Sequence, residues 1–380
     1  MMRPTLTALS LRFLRLGALA WGGPVVQIAV LHEEFVQRER WVDAERFRKA
    51  LALYQALPGP EATEMCIWIG TTARGRIGGV LAGLGFVLPG LSLMLVASWL
   101  LFGLDPWPQW LLATFVGLQS AVVALVARAA WRLFGVATGT DPRRQAIALG
   151  AALGALAGVP FAVSLVAGGL VATARSRAAV AGIVCTWLAL GALLHGSSPV
   201  ALPAAHAATP TAGALLLGGL RAGLLTFGGA YAAIPFLRAD AVAGGWMSDT
   251  QFLSGLGLDG VIPAPMVIVG TWVGWAGGGP GGALLVTLGI FLPAFVLPLL
   301  VHTRLERIVA NVRCHAFLDG VTAAVVGLVA VVAIAMVGTL TSPLRAAIAL
   351  GALVVLAFAR GRLAVLPVMA AAALAGRLFA

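Results

Sequence analysis

Five uncharged apolar runs decide what this chain can fold into. Residues 77–103, 109–127, 178–194, 283–301 and 321–340 each reach or approach the ~20 residues that a helix needs to cross ~30 Å of hydrocarbon. Hydrophobic residues make up 60% of the chain and charged ones only 10%, and the mean hydropathy is +0.99. A water-soluble fold has no way to wet such a surface. In hydrocarbon every backbone N–H and C=O must be paired within the segment, so the runs are helices and the chain is an all-α polytopic membrane protein. The first run, Leu6 to Val30, holds Arg12 and Arg15, and Trp21-Gly22-Gly23-Pro24 stands where a small-residue cleavage site would lie. It reads as a retained helix, not a signal peptide.

A net charge of +11 would point to nucleic acid in a soluble protein. In a membrane protein, loop arginines mark the cytoplasmic side, and no nucleic-acid partner is implied. Cys66, Cys185 and Cys314 stand alone, and His32, His195, His206, His302 and His315 make no ligand cluster, so neither a metal nor a redox cofactor is expected. There is no Walker loop, nucleophile elbow or HExxH, which leaves an ATPase or intramembrane-protease reading unsupported, and the chain reads as a non-enzyme.

Self-comparison reveals two homologous halves. Arg15-x-Gly17 followed by Trp21-Gly22-Gly23 matches Arg221-x-Gly223 followed by Phe227-Gly228-Gly229. Trp41, Phe47 and Leu57-Pro58-Gly59-Pro60 match Trp246, Phe252 and Ile262-Pro263-Ala264-Pro265, and Gly85 to Pro89 matches Gly289 to Pro293. Loop charges then orient the halves. The loop around Asp105 lacks Lys and Arg while the next carries Arg128, Arg132, Arg143 and Arg144; in the second half the first of these loops holds Arg304, Arg307 and Arg313, and the second is nearly bare until Arg345. Equivalent loops on opposite sides describe an inverted-topology repeat. The expected organisation is an N-terminal repeat over 1–196, a periplasmic linker over 197–212 and a C-terminal repeat over 213–380, with the N-terminus in the cytoplasm. Segment lengths give ~10–13 transmembrane or re-entrant helices. Residues 145–173 read as a short hairpin about Gly158-Val159-Pro160, and 345–379 divides at Arg360-Gly361-Arg362.

In such repeats the site forms near the midplane, where interrupted helices expose unpaired backbone groups. The interruptions fall in pairs: Gly22, Gly23 and Pro24 with Gly228 and Gly229, and Pro58, Gly59 and Pro60 with Pro263 and Pro265. Each would present a half-helix N-terminus, whose free N–H groups and positive dipole end suit an anion; a kink serving packing alone is the competing reading. Arg15 and Arg221 occupy equivalent places before the Gly-Gly breaks. An arginine within an apolar segment costs about 2.5–3.5 kcal/mol on insertion scales, so it is read as an oxyanion ligand, with snorkelling to the headgroups as the alternative. Glu64, with Glu61, follows the first Pro-Gly-Pro, and Asp259 precedes the second break. Carboxyls placed there suit proton coupling, or else an ion pair with a buried arginine. The balanced charges from His32 to Lys49, interleaved with Phe35, Trp41 and Phe47, read as an interfacial helix or folded loop.

Taken together, Arg15-Leu16-Gly17 through Pro24, Arg40-Trp41, Gln55 to Pro60, Gly78-Gly79, Gly85 to Pro89 and Thr226-Phe227-Gly228-Gly229 through Pro235-Phe236 resemble the chromate ion transporter family in its long, two-domain form. The resemblance covers nearly the whole chain. It implies secondary active efflux of chromate across the bacterial inner membrane, conferring chromate resistance, with the membrane potential or a proton gradient as driving force. Sulfate, a similar tetrahedral dianion, is implied as an analogue; transport of sulfate or another small oxyanion, or a passive anion channel, stays open beside it. The expected partners are the oxyanion, the lipid bilayer and a coupling proton, with a second copy of the chain as a candidate. The chain departs from the family pattern at Trp21, Gln27, Glu61, Glu64, Ala230 and Ala264, which bears on substrate preference and coupling ion.

Overall fold

The computed structural model describes residues 4–21, 23–104, 106–193, 210–227, 230–302, 311–358 and 365–379, and every element among them is helical. Helix α1 (Leu6–Ala18) opens on Thr5, whose hydroxyl accepts from the Ala8 N–H. Helix α2 (Gly23–His32) then runs back beside it: the rings of Phe13 and Phe35 stack at 4.9 Å, and Arg12 lies 3.2 Å from Glu34. The expectation of one helix from Leu6 to Val30 is therefore corrected to a reversal. Gly23 takes φ +78, and Pro24 has no N–H to offer a continuing helix. With 13 residues, α1 is roughly 20 Å long and turns back before it could cross. A π-helical turn, Glu33–Arg38, ends this hairpin, and Asp43 caps helix α3 (Ala44–Ala56) by accepting from the Arg46 N–H.

Helix α4 (Glu61–Phe102) is likewise two limbs. At Arg74 and Gly75 the backbone leaves the helical region, with Gly75 at φ 65 and ψ −164, and Gly70 packs on the Gly78 carbonyl across the turn. Residues 61–73 form a short limb that doubles back on the second, and 76–102 are long and apolar enough to cross a membrane. Helix α5 (Gln109–Thr138) returns. Arg128 and Arg132, expected in a basic loop, sit on α5 instead, because the helix runs to Thr138 before Gly139 ends it at φ 52. Helices α6 (Pro142–Leu156) and α7 (Phe161–Thr173) form the hairpin expected over 145–173, followed by α8 (Arg177–Leu193).

The second half repeats these features in order. Helix α9 (Ala212–Leu224) leads through a 3-10 turn, Ala230–Ala233, into α10 (Ile234–Arg238) and a π-helical turn, Ala239–Ala243. Ser248 caps α11 (Asp249–Asp259) as Asp43 caps α3. Helix α12 (Val269–Val296) folds back at Gly278-Gly279, where Gly279 takes φ 58 and ψ −150, close to the geometry of Gly75. Helices α13 (Val312–Val337), α14 (Pro343–Phe358) and α15 (Val365–Phe379) complete the chain. Gly17 of α1 abuts the Phe86 carbonyl, and its counterpart Gly223 of α9 abuts the Ile290 carbonyl. The expected division at Arg360-Gly361-Arg362 and most of the 197–212 linker lie outside the described residues.

The two halves are interlocked by exchange. Helix α5 packs against α14 and α15, where Gly117 meets the Ala372 carbonyl, while α13 packs against α6 and α7, where Gly320 meets the Gly168 carbonyl. Among the described residues four helices are long and apolar enough to cross a membrane. Their outer faces expose residues such as Leu93, Val96, Trp99, Leu112 and Ile334, the pattern of a lipid-facing surface.

A candidate anion site where helix breaks meet

The interrupted segments of one half touch those of the other. The Gly59 N–H donates to the Thr226 carbonyl at 2.8 Å, and Gln27 Nε2 donates to the Ala264 carbonyl at 3.0 Å and to Ala20 at 2.8 Å. Trp21 Nε1 donates to the Val261 carbonyl at 2.8 Å, and Met266 lies against Gly23. Helix α2 starts at Gly23, α4 starts behind Pro60, and Pro265 precedes the turn Met266–Ile268 that enters α12. Helix starts without intrahelical acceptors for their first N–H groups are thus gathered at the junction of the halves. Pro58 and Pro263 lie in the same breaks; Gly22, Gly228 and Gly229 lie outside the described residues.

A cavity of about 340 Å³ reaches this junction, lined by Gly23, Pro24, Gln55, Glu61 and Tyr231 together with Arg132, Arg144 and Asp319. Arg144 pairs with Asp319 at 2.6 Å, and Tyr231 lines the same cavity as Arg132. Sequence reasoning missed Arg132 and Arg144 by assigning them to a solvated loop. For Arg132 a signal was present, since residues 121–127 ahead of Arg128 are uncharged and no proline falls between Pro108 and Pro142; Arg144, beyond Gly139, carried none. Tyr231 lies inside the motif from Thr226 to Phe236, whose sequence gives no signal of its role.

The predicted arginines lie elsewhere. Arg15 is on an exposed face of α1, outside the cavity lining and without an ion-pair partner among the described residues. Arg221 forms an ion pair with Asp240, whose side chain is 2% exposed, and its guanidinium stands 5.8 Å from the Phe161 ring centroid. In the first half the acid in the corresponding place, Glu34, is met by Arg12, one turn before Arg15; Arg12 also pairs with Glu39 and lies over Trp41. Each half therefore closes its first hairpin with an arginine–carboxylate pair.

Glu64 is fully buried, and among the described residues neither of its oxygens has a hydrogen-bond partner. It presses on Gly59, where an added Cβ would lie 2.7 Å from Oε1, and the Glu61 charge acts on it. Asp259 is buried at the end of α11, and its carboxylate faces the backbone of Val269 at the start of α12. Among the described residues no three His, Cys, Asp or Glu side chains are grouped to hold a metal ion.

With the geometry in place, the comparisons narrow the reading. A family model described as "Chromate transporter" matches residues 7–173 and 213–377. The chromate transport protein of Pseudomonas aeruginosa is 50% identical over 84% of this chain and 78% of its own length. The probable chromate transport protein of Synechococcus elongatus is 30% identical over 86% of this chain and 83% of its own. The chromate transport protein of Cupriavidus metallidurans is 30% identical, with 85% and 80% covered. No solved structure matches.

Proposed function

This chain belongs to the chromate transporter family, and on that premise we propose that it exports chromate from the cytoplasm across the bacterial inner membrane by secondary active transport, conferring chromate resistance. The observation that carries the reading is a cavity lined by the helix starts at Gly23-Pro24 and Glu61 together with Arg132 and Arg144, with the helix start behind Pro265 packed on Gly23 through Met266. Backbone N–H groups at helix starts recognise tetrahedral oxyanions without a resident cofactor, and a guanidinium matches two of their oxygens at once.

Direction is argued from charge. Arg144 near the start of α6 and Asp319 in the second turn of α13 lie at helix ends beside arginine-rich segments, which supports a cavity open to the cytoplasm, the side that basic residues mark. The same rule supports opposed orientations for the repeats 1–196 and 213–380, joined by an outer linker at 197–212 and preceded by a cytoplasmic N-terminus. For the coupling ion we assign a proton, carried by Glu64, with Glu61, about one helical turn before it, on the cavity lining. An ionised carboxylate in a dry interior is costly without a partner, and a proton removes that cost.

The test is chromate accumulation in everted vesicles, with sulfate as competitor, for the wild type and Arg132→Gln at matched expression. Energy-dependent, saturable uptake is expected, falling roughly ten- to a hundredfold in kcat/KM for the variant through loss of a charged hydrogen bond. Chromate uptake no greater than in empty vesicles would overturn the assignment, and uptake that never saturates would make the protein a channel.

A further inference from the structure

The helices α6, α7 and α8 border a second cavity of about 560 Å³, whose lining contains none of the residues that line the first. Helix α8 is fastened toward its far end: the Trp187 ring rests on Gly154 and its Nε1 donates to Ser164 Oγ at 3.1 Å, and Gly191 sits against Val159. Nearer its start, α6, α7 and α8 leave a wedge lined by Ile147, Val171, Val180 and Ile183. Arg143, Arg175, Ser176 and Arg177 line the opposite end from Trp187. Arg143 is anchored, donating to the carbonyls of Val171 and Ala174. Arg175 and Arg177 are exposed, and among the described residues no ion pair neutralises them. The start of α8 adds its own free N–H groups, with Ser176 accepting from Ala179.

We propose that this wedge is a binding site for one acidic phospholipid, its acyl chains lying between α7 and α8 and its phosphate held by Arg175, Arg177 and the first turn of α8. Charge complementarity selects the occupant. An apolar wedge open to the bilayer fills with acyl chain whatever the headgroup, but three arginines and a helix start at its polar end favour a headgroup of net negative charge. Arg143 closes the end of α7 and keeps the polar end in shape. The site is separate from the transport cavity, which shares none of these residues, so the proposal stands independently of the substrate.

The experiment titrates the purified full-length protein in detergent with brominated phosphatidylglycerol or brominated phosphatidylcholine of the same chain length, and reads quenching of tryptophan fluorescence. Subtracting the Trp187→Phe response isolates the tryptophan at the closed end of the wedge. Phosphatidylglycerol is expected to quench Trp187 at lower concentration than phosphatidylcholine. Combined Arg175→Gln and Arg177→Gln replacement is expected to weaken its binding roughly thirtyfold, on the per-arginine headgroup attraction, while Arg175→Lys with Arg177→Lys keeps the preference. Equal quenching by both lipids, or an unchanged affinity in the double Gln variant, would overturn the proposal. So would competition by inorganic phosphate at concentrations comparable to the lipid, which would make the ligand a soluble oxyanion.

Discussion

Glu64 and Arg221 are two charged groups in the apolar interior with different surroundings, and substitutions separate their roles. Arg221 has Asp240 as its partner, so Arg221→Ala leaves a carboxylate of 2% exposure uncompensated and is expected to destabilise the fold by about 3–5 kcal/mol. Replacing the pair together, with Arg221→Met and Asp240→Leu, is expected to restore most of that stability, since a packed apolar pair often equals a buried ion pair. Thermal unfolding in detergent reads the stability and vesicle uptake reads the function. If the double variant folds as well as the wild type yet transports nothing, Arg221 is a substrate ligand after all. For Glu64→Gln the shape is kept and the titrating group lost. Folding is expected to be unchanged, while chromate uptake loses its dependence on an imposed pH gradient. Persistence of that dependence would remove Glu64 from the coupling role. What the sequence shows at this scale is charge inside apolar runs; it does not show pairing. Asp240 reaches Arg221 because a break reverses the chain between them. The clue that was legible is that Glu34 and Asp240 occupy the same place in the two repeats, each a short distance before its matching tryptophan.

The reversals at Gly75 and Gly279 each fold one continuous apolar helix into two limbs that pack on one another. Both residues combine a positive φ with an extended ψ, a region closed to side-chain-bearing residues at a cost on the order of 1–3 kcal/mol. An added Cβ meets nothing within 4 Å at either place, so alanine there tests the backbone alone. Gly75→Ala and Gly279→Ala are each expected to lower the unfolding temperature, and the double variant to show about the sum, as for sites without shared contacts. A negligible change in either would mean that the turn relaxes without strain. These turns were legible but went unread: Arg74-Gly75-Arg76 interrupts the apolar sequence between Met65–Ala73 and the run from 77 just as Arg360-Gly361-Arg362 does further on, and Gly277-Gly278-Gly279-Pro280 marks the second turn, although a chain with 48 glycines dilutes the signal of each one. The Gly/Pro breaks at residues 22–24 and 58–60 were easier to read: proline removes a donor, and both recur in the second half.

For the whole molecule, the repeat was visible in self-comparison but the exchange of helices was not, since no motif records that α5 seats against α14 and α15 or that α13 seats against α6 and α7. This interlock has a consequence for assembly: a half expressed alone would expose the small-residue faces at Gly117 or Gly320 that the other half covers. Splitting the chain within residues 194–209 and expressing both parts together is expected to yield a complex that co-purifies, whereas either part alone is degraded; stable accumulation of one part alone would show that the exchange is dispensable. Orientation is a separate question, and the matched turns supply its test. Arg76 and Gly281 are both exposed beside equivalent reversals, so an inverted repeat puts them on opposite faces of the membrane. After replacement of Cys66, Cys185 and Cys314, the variants Arg76→Cys and Gly281→Cys would be treated with a membrane-impermeant maleimide in right-side-out and everted vesicles. Arg76→Cys is expected to label only in everted vesicles and Gly281→Cys only in right-side-out ones. Labelling of both from one side would make the repeats parallel, with helix starts approaching the cavity from a single face, and the two-sided access that export requires would then have to come from a movement of α5 and α13 against their exchanged partners.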